Sequence, residues 1–236
     1  PEADILFKHA AEAHQQILKF NNIAENLVTD PSSIINIGCT PSLGLGLLPN
    51  ILNNYLKLHP GTKFNIVNLQ SLDLEDQLKE LTFDMVICFN PNDSALFNKT
   101  VLHAGKLVLI ASKDSPPKEG VFKLSKIQHE PFIKIKNLKT NQAQYNLDEF
   151  LRQKGISVNW IAETETIQVA KAMVEKGSGF AIIDDFSAGI YGDSISTREI
   201  KPAIGYEICM ISNKEKPLSV NAKSFISYLN KLAGSI

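Results

Sequence analysis

The chain has 236 residues, of which 44% are hydrophobic and 21% charged, a composition typical of a globular protein with one large or two small domains. Its formal net charge of −1 argues against a nucleic-acid surface on these residues, because phosphate binding needs clustered lysine and arginine side chains. The sequence contains neither a signal peptide nor an apolar run near the ~18 residues of a membrane span, so we expect a cytoplasmic protein without a membrane partner.

The first segment predicts a long amphipathic helix over residues 2–27, because apolar side chains recur there at three- and four-residue steps. This helix either packs on the domain behind it or serves as a linker or dimerisation helix. The chain begins with Pro1 rather than Met, so we expect that an upstream part is missing.

Strands and helices alternate in the next part of the chain, which predicts βαβ units with right-handed crossovers. We expect strands over 34–38, 63–69 and 84–89 and helices over 43–58 and 73–80. The helix over 43–58 is apolar around more of its surface than one core-facing stripe requires. It is therefore either covered entirely within the chain or in contact with a second subunit.

A long strand over 99–112, broken near Gly105, leads into a second α/β series. The expected elements are strands over 131–135, 157–162 and 179–184, helices over 142–154 and 166–176, a turn-rich stretch, a strand over 206–212 and a helix over 217–232. Two α/β lobes follow, with 99–112 and 205–213 as the segments that cross between them. We predict a linker helix at 1–30, lobe I at 31–108 and 210–236, and lobe II at 109–209.

Hydroxyl side chains follow the first predicted strand, in the sequence Thr40-Pro41-Ser42. They either cap the free N–H groups of the next helix or hold a ligand carboxylate or another anion, and both roles are compatible. Gln70 and Ser71 follow the second strand in the same manner. The carboxyl ends of parallel strands are where small ligands bind in α/β sheets, so these residues are candidates for a binding site.

The second lobe offers Thr164 or Thr166 as a helix cap, flanked by Glu163 and Glu165. The two glutamates either stabilise the helix N-terminus or recognise a cationic or hydroxylated ligand. Two lysines, Lys134 and Lys136, alternate with isoleucines along a strand. They either pair with an acidic effector or lie on a solvated edge strand.

The residues for catalysis are few. None of the five histidines forms a metal-ligand pair on a helix face or has an obvious nucleophile partner, and the three distant cysteines predict buried, reduced thiols. Asp184 and Asp185 are either paired carboxylates or caps of a short helix. We therefore predict neither an enzyme nor a metal or cofactor site, and we favour a sensor.

Several motifs, in this order and spacing, resemble the linker helix and effector-binding domain of the LysR-type transcriptional regulators. The motifs are Ile34–Gly38 with Leu47-Leu48-Pro49 and His59-Pro60, the stretch Leu78–Asp84 with Met85-Val86-Ile87, and Val174–Ile182. The resemblance covers essentially the whole chain. It implies an α/β fold of two Rossmann-like lobes joined by two crossing strands, like type 2 periplasmic binding proteins, preceded by the linker helix.

The same resemblance implies that a small effector binds between the lobes. It places in that cleft the residues Thr40, Ser42, Gln70, Ser71, Ile135, Thr164 and Thr166. It also implies a bacterial homodimer or homotetramer that contacts DNA only through an N-terminal domain, which we expect to be absent from this sequence.

Two other functions are compatible with such a scaffold. A solute-binding protein of a transport system would share the fold, but it should carry an export signal and needs no leading helix. An enzyme would use Asp184, Asp185 or Glu165 as acid–base groups, although no nucleophile–base pair accompanies them.

Overall fold

The computed structural model describes residues 34–69, 78, 82–91, 93–114, 120–136, 142–190 and 194–234, with scattered positions between 6 and 20. Those scattered positions are helical and exposed, as predicted for the N-terminal helix, and they include the apolar Leu6, Phe7, Ile17 and Phe20. The rest of that predicted helix lies outside the described residues. Within the described part of the chain, no helix is both long and apolar enough to cross a membrane.

The described part of the chain contains ten strands, six α-helices and one 3₁₀ helix. The strands are β1 (Ile34–Cys39), β2 (Lys63–Asn68), β3 (Met85–Phe89), β4 (Phe97–Ser112), β5 (Phe122–Lys123), β6 (Phe132–Ile135), β7 (Trp160–Thr164), β8 (Ala181–Asp184), β9 (Ile195–Lys201) and β10 (Gly205–Asn213). The α-helices are α1 (Pro41–Gly46), α2 (Leu48–Leu58), α3 (Gln142–Gln153), α4 (Ile167–Glu175), α5 (Asp185–Ile190) and α6 (Val220–Leu232). A 3₁₀ helix, η1, spans Leu124–His129.

Lobe I is built on a sheet with the strand order β2-β1-β3-β10-β4. β1 is parallel to β2 and β3, as the βαβ interpretation predicts, whereas β10 is antiparallel to β3 and β4. Every residue of β3 is buried, which agrees with its unbroken apolar sequence because both faces of the strand are covered.

Lobe II uses the second half of β4, from Leu107 onward, which pairs with β8 on one side and β9 on the other. β5 adds to β9, and β6 and β7 form a parallel pair linked to β8 by a bridge between Phe132 and Phe180. The lobes are therefore joined by β4 and β10, as predicted. The residue boundaries assigned to the two lobes remain predictions.

The C-terminal helix returns to lobe I and covers much of α2. The Tyr55 hydroxyl on α2 donates a hydrogen bond to Ser224 Oγ on α6 over 3.0 Å, and the Tyr55 ring contacts Phe225 and Tyr228 edge-on. Most of the wide apolar surface of the predicted helix is thus buried within the chain. Leu56 and Leu58, 38% and 66% exposed, remain at the surface.

Three predicted elements differ from the structure. The helix expected over 43–58 is two helices, α1 and α2, that meet at Leu47, because Pro49 cannot donate a backbone hydrogen bond and its ring crowds the preceding turn. The strand expected over 157–162 is β7, whose position follows from the pairing of Phe132 with Trp160. β4 continues through Gly105, because both halves of the strand find partners there.

The stretch predicted to be turn-rich contains both a helix and a strand, α5 and β9. The strand alternates buried and exposed residues, as a half-buried strand does. From Ser196 to Lys201, partly or fully buried residues alternate with exposed ones, whereas the buried Ile195, five positions before Ile200, lies on the opposite face.

Candidate functional site

The carboxyl ends of the three parallel strands meet at one edge of lobe I. Thr40 N–H donates to Ile87 O at the end of β3 over 3.2 Å, and Leu69 N–H donates to Cys39 O over 2.8 Å. The segment after β1 is thereby held between the ends of its two neighbours. Thr40 and Ser42 both lie at this edge and both are buried. Gln70 and Ser71, predicted to lie beside them, are outside the described residues.

Thr40 stands at the N-cap position of α1, but its side chain does not cap the helix. Its backbone carbonyl accepts hydrogen bonds from the N–H groups of Leu43 and Gly44, each over 3.0 Å. Thr40 is only 4% exposed, and its hydroxyl has no hydrogen-bond partner among the described residues. Of the two roles left open for Thr40, side-chain capping of α1 is therefore excluded.

The corresponding edge of lobe II brings together three of the predicted site residues. Ile135 at the end of β6 is the register partner of Thr164 at the end of β7, and Lys136 N–H donates to Thr164 O over 2.7 Å. Thr166 caps α4, because its hydroxyl accepts a hydrogen bond from Val169 N–H over 3.4 Å. One of the two threonines thus caps the helix, as predicted.

Two lysines on or just after β6 form ion pairs with two glutamates on or just after β7. Lys134 Nζ lies 3.3 Å from Glu163 Oε1, and Lys136 Nζ lies 3.2 Å from Glu165 Oε1. Such cross-strand pairs between opposite charges stabilise a sheet modestly. Both lysines and both glutamates therefore have a partner of opposite charge within the protein.

A cluster at the start of α5 ties lobe II to both crossing strands. The Tyr206 hydroxyl on β10 donates to Asp185 Oδ1 over 2.5 Å, and Lys106 N–H on β4 donates to Asp185 Oδ2 over 3.3 Å. A Cβ at Gly105 would lie 2.4 Å from Asp185 Oδ1. Only glycine at this position therefore leaves space for the hydrogen bond between Tyr206 and Asp185. The ring of His103 lies beside those of Phe186 and Tyr206.

Asp184 acts as the cap of α5, the structural role left open for it. Its Oδ1 accepts a hydrogen bond from Ser187 N–H over 2.7 Å. Burial raises the pKa of Asp184 to about 6, an effect that the hydrogen bonds from Ser187 only partly oppose. Burial also raises the pKa of Tyr206, with the Asp184 charge acting in the same direction.

α1, which follows Thr40 in lobe I, packs against α5. The region between the lobes is thus bordered by the α1 segment, by α5, and by the crossing strands at Gly105 and Tyr206. In lobe II, Gln168 at the start of α4 has a side-chain nitrogen that is buried without a partner in the described part of the chain. The sequence reasoning missed Gln168 and Tyr206 as candidates, and it considered Asp185 only as one of two paired carboxylates or as a helix cap. A glycine inside a strand, at Gly105, was the one available signal.

The three cysteines are buried free thiols, as predicted, and burial raises the pKa of Cys39 to about 11 and that of Cys209 to about 12. The described residues contain no group of three His, Cys, Asp or Glu side chains that could hold a metal ion.

Comparison with known proteins agrees with this arrangement. The model of the LysR substrate binding domain matches residues 29–234. The transcriptional regulator DgcR of a Pseudoalteromonas species is 24% identical over 233 residues, which cover 97% of this chain and 79% of DgcR.

Two solved structures share the fold. The regulatory domain of Synechocystis CcmR in complex with 2-PG matches 86% of this chain and 98% of its own, with 15% identity and a TM-score of 0.75. Full-length CbnR complexed with its target DNA matches 99% of this chain and 82% of its own, with 14% identity and a TM-score of 0.76. The two-lobe α/β chain described here therefore belongs to the LysR substrate-binding domain family.

Proposed function

We propose that this chain is the effector-sensing domain of a LysR-type transcriptional regulator and that a small anionic metabolite binds between its lobes. The ligand would contact the predicted set of residues, Thr40, Ser42, Gln70, Ser71, Ile135, Thr164 and Thr166. The family membership supports a sensor over a solute-binding protein or an enzyme, because the relatives matched are transcriptional regulators.

The observation that carries this proposal is the buried Thr40 hydroxyl without a partner. An unsatisfied buried polar group costs roughly 1–3 kcal/mol, so a ligand that supplies the missing hydrogen bond recovers that free energy on binding. The carboxyl edge of the lobe I sheet is also where the fold leaves space for ligands. A structural hydroxyl would instead have used the free N–H groups of α1, which lie next to it.

The chemistry of the unpartnered groups favours an oxygen-rich ligand. Thr40 offers a hydroxyl and Gln168 offers an amide nitrogen, which is a donor only. Donors of this kind match carboxylate, hydroxyl or phosphate oxygens. We therefore propose a small hydroxylated or phosphorylated carboxylate as the effector class.

The test is calorimetric titration of a panel of such carboxylates, each paired with its neutral amide, into the wild-type protein and two variants. Thr40→Val should weaken binding of the active compound about fivefold or more, because it deletes the hydroxyl and keeps the shape. Thr62→Val is the matched control, since Thr62 lies just before β2 at the opposite edge of the same sheet. Equal affinity for the wild type and Thr40→Val would remove Thr40 from the site, and preference for the amides would exclude an anion.

Signal transmission requires contacts between copies of the chain, and we propose that the outer strands provide them. Apolar residues are exposed at two edge strands, Ile66 and Val67 on β2, which ends the large sheet, and Trp160 and Ile161 on β7 of the β6–β7 pair. Exposed apolar edges of this kind mark contact surfaces, because isolated proteins seldom leave them open. Effector-induced closure of the lobes would then alter the arrangement of subunits and, through the N-terminal helix, the spacing of DNA-binding domains.

Sedimentation measurements test this surface. Trp160→Lys should lower the oligomeric state, whereas Tyr145→Lys, at an exposed aromatic position on α3, should leave it unchanged. An unchanged oligomer in Trp160→Lys would exclude β7 from the interface.

A further inference from the structure

Lobe II contains a cavity of about 630 Å³ that is separate from the region between the lobes. The start of η1, the end of α3 and the end of β9 line it. Its residues are Lys123, Leu124, Ser125, Phe150, Lys154, Ile156, Lys201 and Pro202. This volume lies within the usual range of small-molecule sites, about 300–1,000 Å³.

The floor of the cavity is apolar and firmly positioned. Leu124 is fully buried, and Phe150 and Ile156 are partly buried against the same core cluster. Backbone contacts hold this wall in place, because Ile156 N–H donates to Leu151 O over 2.9 Å. The floor is therefore a preformed apolar surface that is part of the folded lobe.

The rim carries three lysines and no acidic residue. Lys123 and Lys201 are direct register partners on the parallel strands β5 and β9, so their side chains project from neighbouring positions on the same face. Like charges in that arrangement repel each other. Lys154 adds a third positive charge just beyond the end of α3.

No described acidic residue neutralises these lysines. Glu149, which precedes the cavity residue Phe150 on α3, is held by Arg152 through hydrogen bonds of 2.7–2.9 Å. The arrangement thus combines an apolar floor with an unbalanced positive rim. An anion at the rim would relieve the repulsion between Lys123 and Lys201.

We propose that this cavity is a second binding site, which takes an amphipathic anion such as a medium-chain or aromatic carboxylate. The apolar body would lie on Leu124, Phe150 and Ile156, and the carboxylate would lie between Lys123 and Lys201. Charge-assisted hydrogen bonds from lysine to a carboxylate would fix the head group. The site does not depend on the ligand proposed for the region between the lobes.

The experiment uses octanoate as the probe and n-octanol as its neutral counterpart, titrated calorimetrically into the whole chain. The double variant Lys123→Gln/Lys201→Gln should weaken octanoate binding about tenfold and leave octanol binding unchanged. Its matched control is Lys223→Gln/Lys231→Gln, which removes two exposed lysines from α6. Ser125→Trp places a large side chain in the cavity and should abolish binding of both probes.

The site of binding is located independently by methyl NMR, in which the Leu124 and Ile156 signals should shift upon addition of octanoate. The proposal is overturned if the wild type does not bind octanoate, if binding survives Ser125→Trp, or if both lysine pairs give the same loss. Thr40→Val should bind octanoate with wild-type affinity. Failure of either proposed site is therefore distinguishable from failure of the other.

Discussion

Lobe I buries two polar features that differ in whether the protein itself compensates them. Lys216 Nζ lies 3.0 Å from Asp84 Oδ1, with the two side chains only 1% and 0% exposed, and Asp84 Oδ2 accepts the N–H of Asn36 over 2.8 Å. Thr40 is buried to a similar degree, but its hydroxyl has no partner in the described part of the chain.

The difference separates a structural polar group from a binding group. Burial lowers the pKa of Lys216 although the Asp84 charge opposes this shift, so each charge depends on the other. Removal of one member should damage folding and leave ligand binding intact. Removal of the Thr40 hydroxyl should do the reverse, because no group in the described part of the chain is hydrogen-bonded to it.

The largest expected effect is on the compensated pair. Lys216→Met leaves the Asp84 carboxylate buried without its counter-charge and should lower the free energy of unfolding by about 3–5 kcal/mol, measured by urea denaturation. The exposed Lys231→Met, on α6, should change stability by less than about 0.5 kcal/mol. Adding Asp84→Asn to Lys216→Met should recover part of the loss. A single variant with wild-type stability would mean that the pair is not a structural feature.

An intermediate case is Asp184, which is buried with hydrogen bonds but without a counter-charge. Because its pKa is raised to about 6, the folded protein binds a proton more tightly than the unfolded chain does. The contribution of Asp184 to stability is therefore highest below pH ~4 and falls by about 3 kcal/mol as the pH rises to about 6.

The measurement compares wild-type and Asp184→Asn unfolding between pH 4 and 7. The asparagine retains an oxygen that can accept the N–H of Ser187, so the two proteins should be similar near pH 4 and the variant should be more stable at pH 7. Parallel stability curves would contradict a raised pKa.

A smaller loss of stability is expected when the space at Gly105, which the hydrogen bond between Tyr206 and Asp185 needs, is filled. Gly105→Ala places a Cβ 2.4 Å from Asp185 Oδ1 and 2.5 Å from the Tyr206 hydroxyl, and it should cost about 1–3 kcal/mol of stability. Gly205→Ala, at the first residue of β10, is the control. Its Cβ would lie 3.7 Å from the nearest atom, Gly105 O, which is an ordinary van der Waals contact. Thermal unfolding of the two variants measures the contrast. Equal losses would indicate a general intolerance of alanine in these strands.

The smallest expected change has the opposite sign. Thr40→Val removes a buried unsatisfied hydroxyl and should raise the unfolding free energy of the ligand-free protein by about 1 kcal/mol. Chemical denaturation in buffer without carboxylates or phosphate measures this gain. A clear loss of stability would show that the hydroxyl has a structural partner, and the comparison with Lys216 would no longer hold.

The strands of both lobes were predictable because their apolar runs must be buried on two faces. Met85–Phe89 is an example, and the glycines at 155 and 177 marked helix ends correctly through their positive φ angles of 63° and 76°. The break at Leu47 was missed because the apolar sequence continues through it. The strand β9 was missed because five of its seven residues are polar or charged.

The candidate site was less accessible to sequence reasoning for a physical reason. The N-cap position of Thr40 is local and was predicted, but whether its hydroxyl finds a partner depends on atoms from distant segments. The clustering of Asp185 with Gly105 and Tyr206 is equally non-local, since it joins three elements that are far apart in the chain. The pairing of Lys134 with Glu163 follows only from the register of β6 and β7.

The uninterrupted course of β4 limits how a regulator of this kind can move. Sixteen residues, or roughly 50 Å at about 3.3 Å per residue, run from one lobe to the other with ladder partners along almost the whole length. On the β4 side, relative movement of the lobes must therefore come from elastic twisting of the strand with its ladder partners, whereas residues 202–204, between β9 and β10, lie outside any strand. A continuous paired strand resists large rotations of one lobe relative to the other. An effector would therefore change the shape of the subunit by small, reversible rotations.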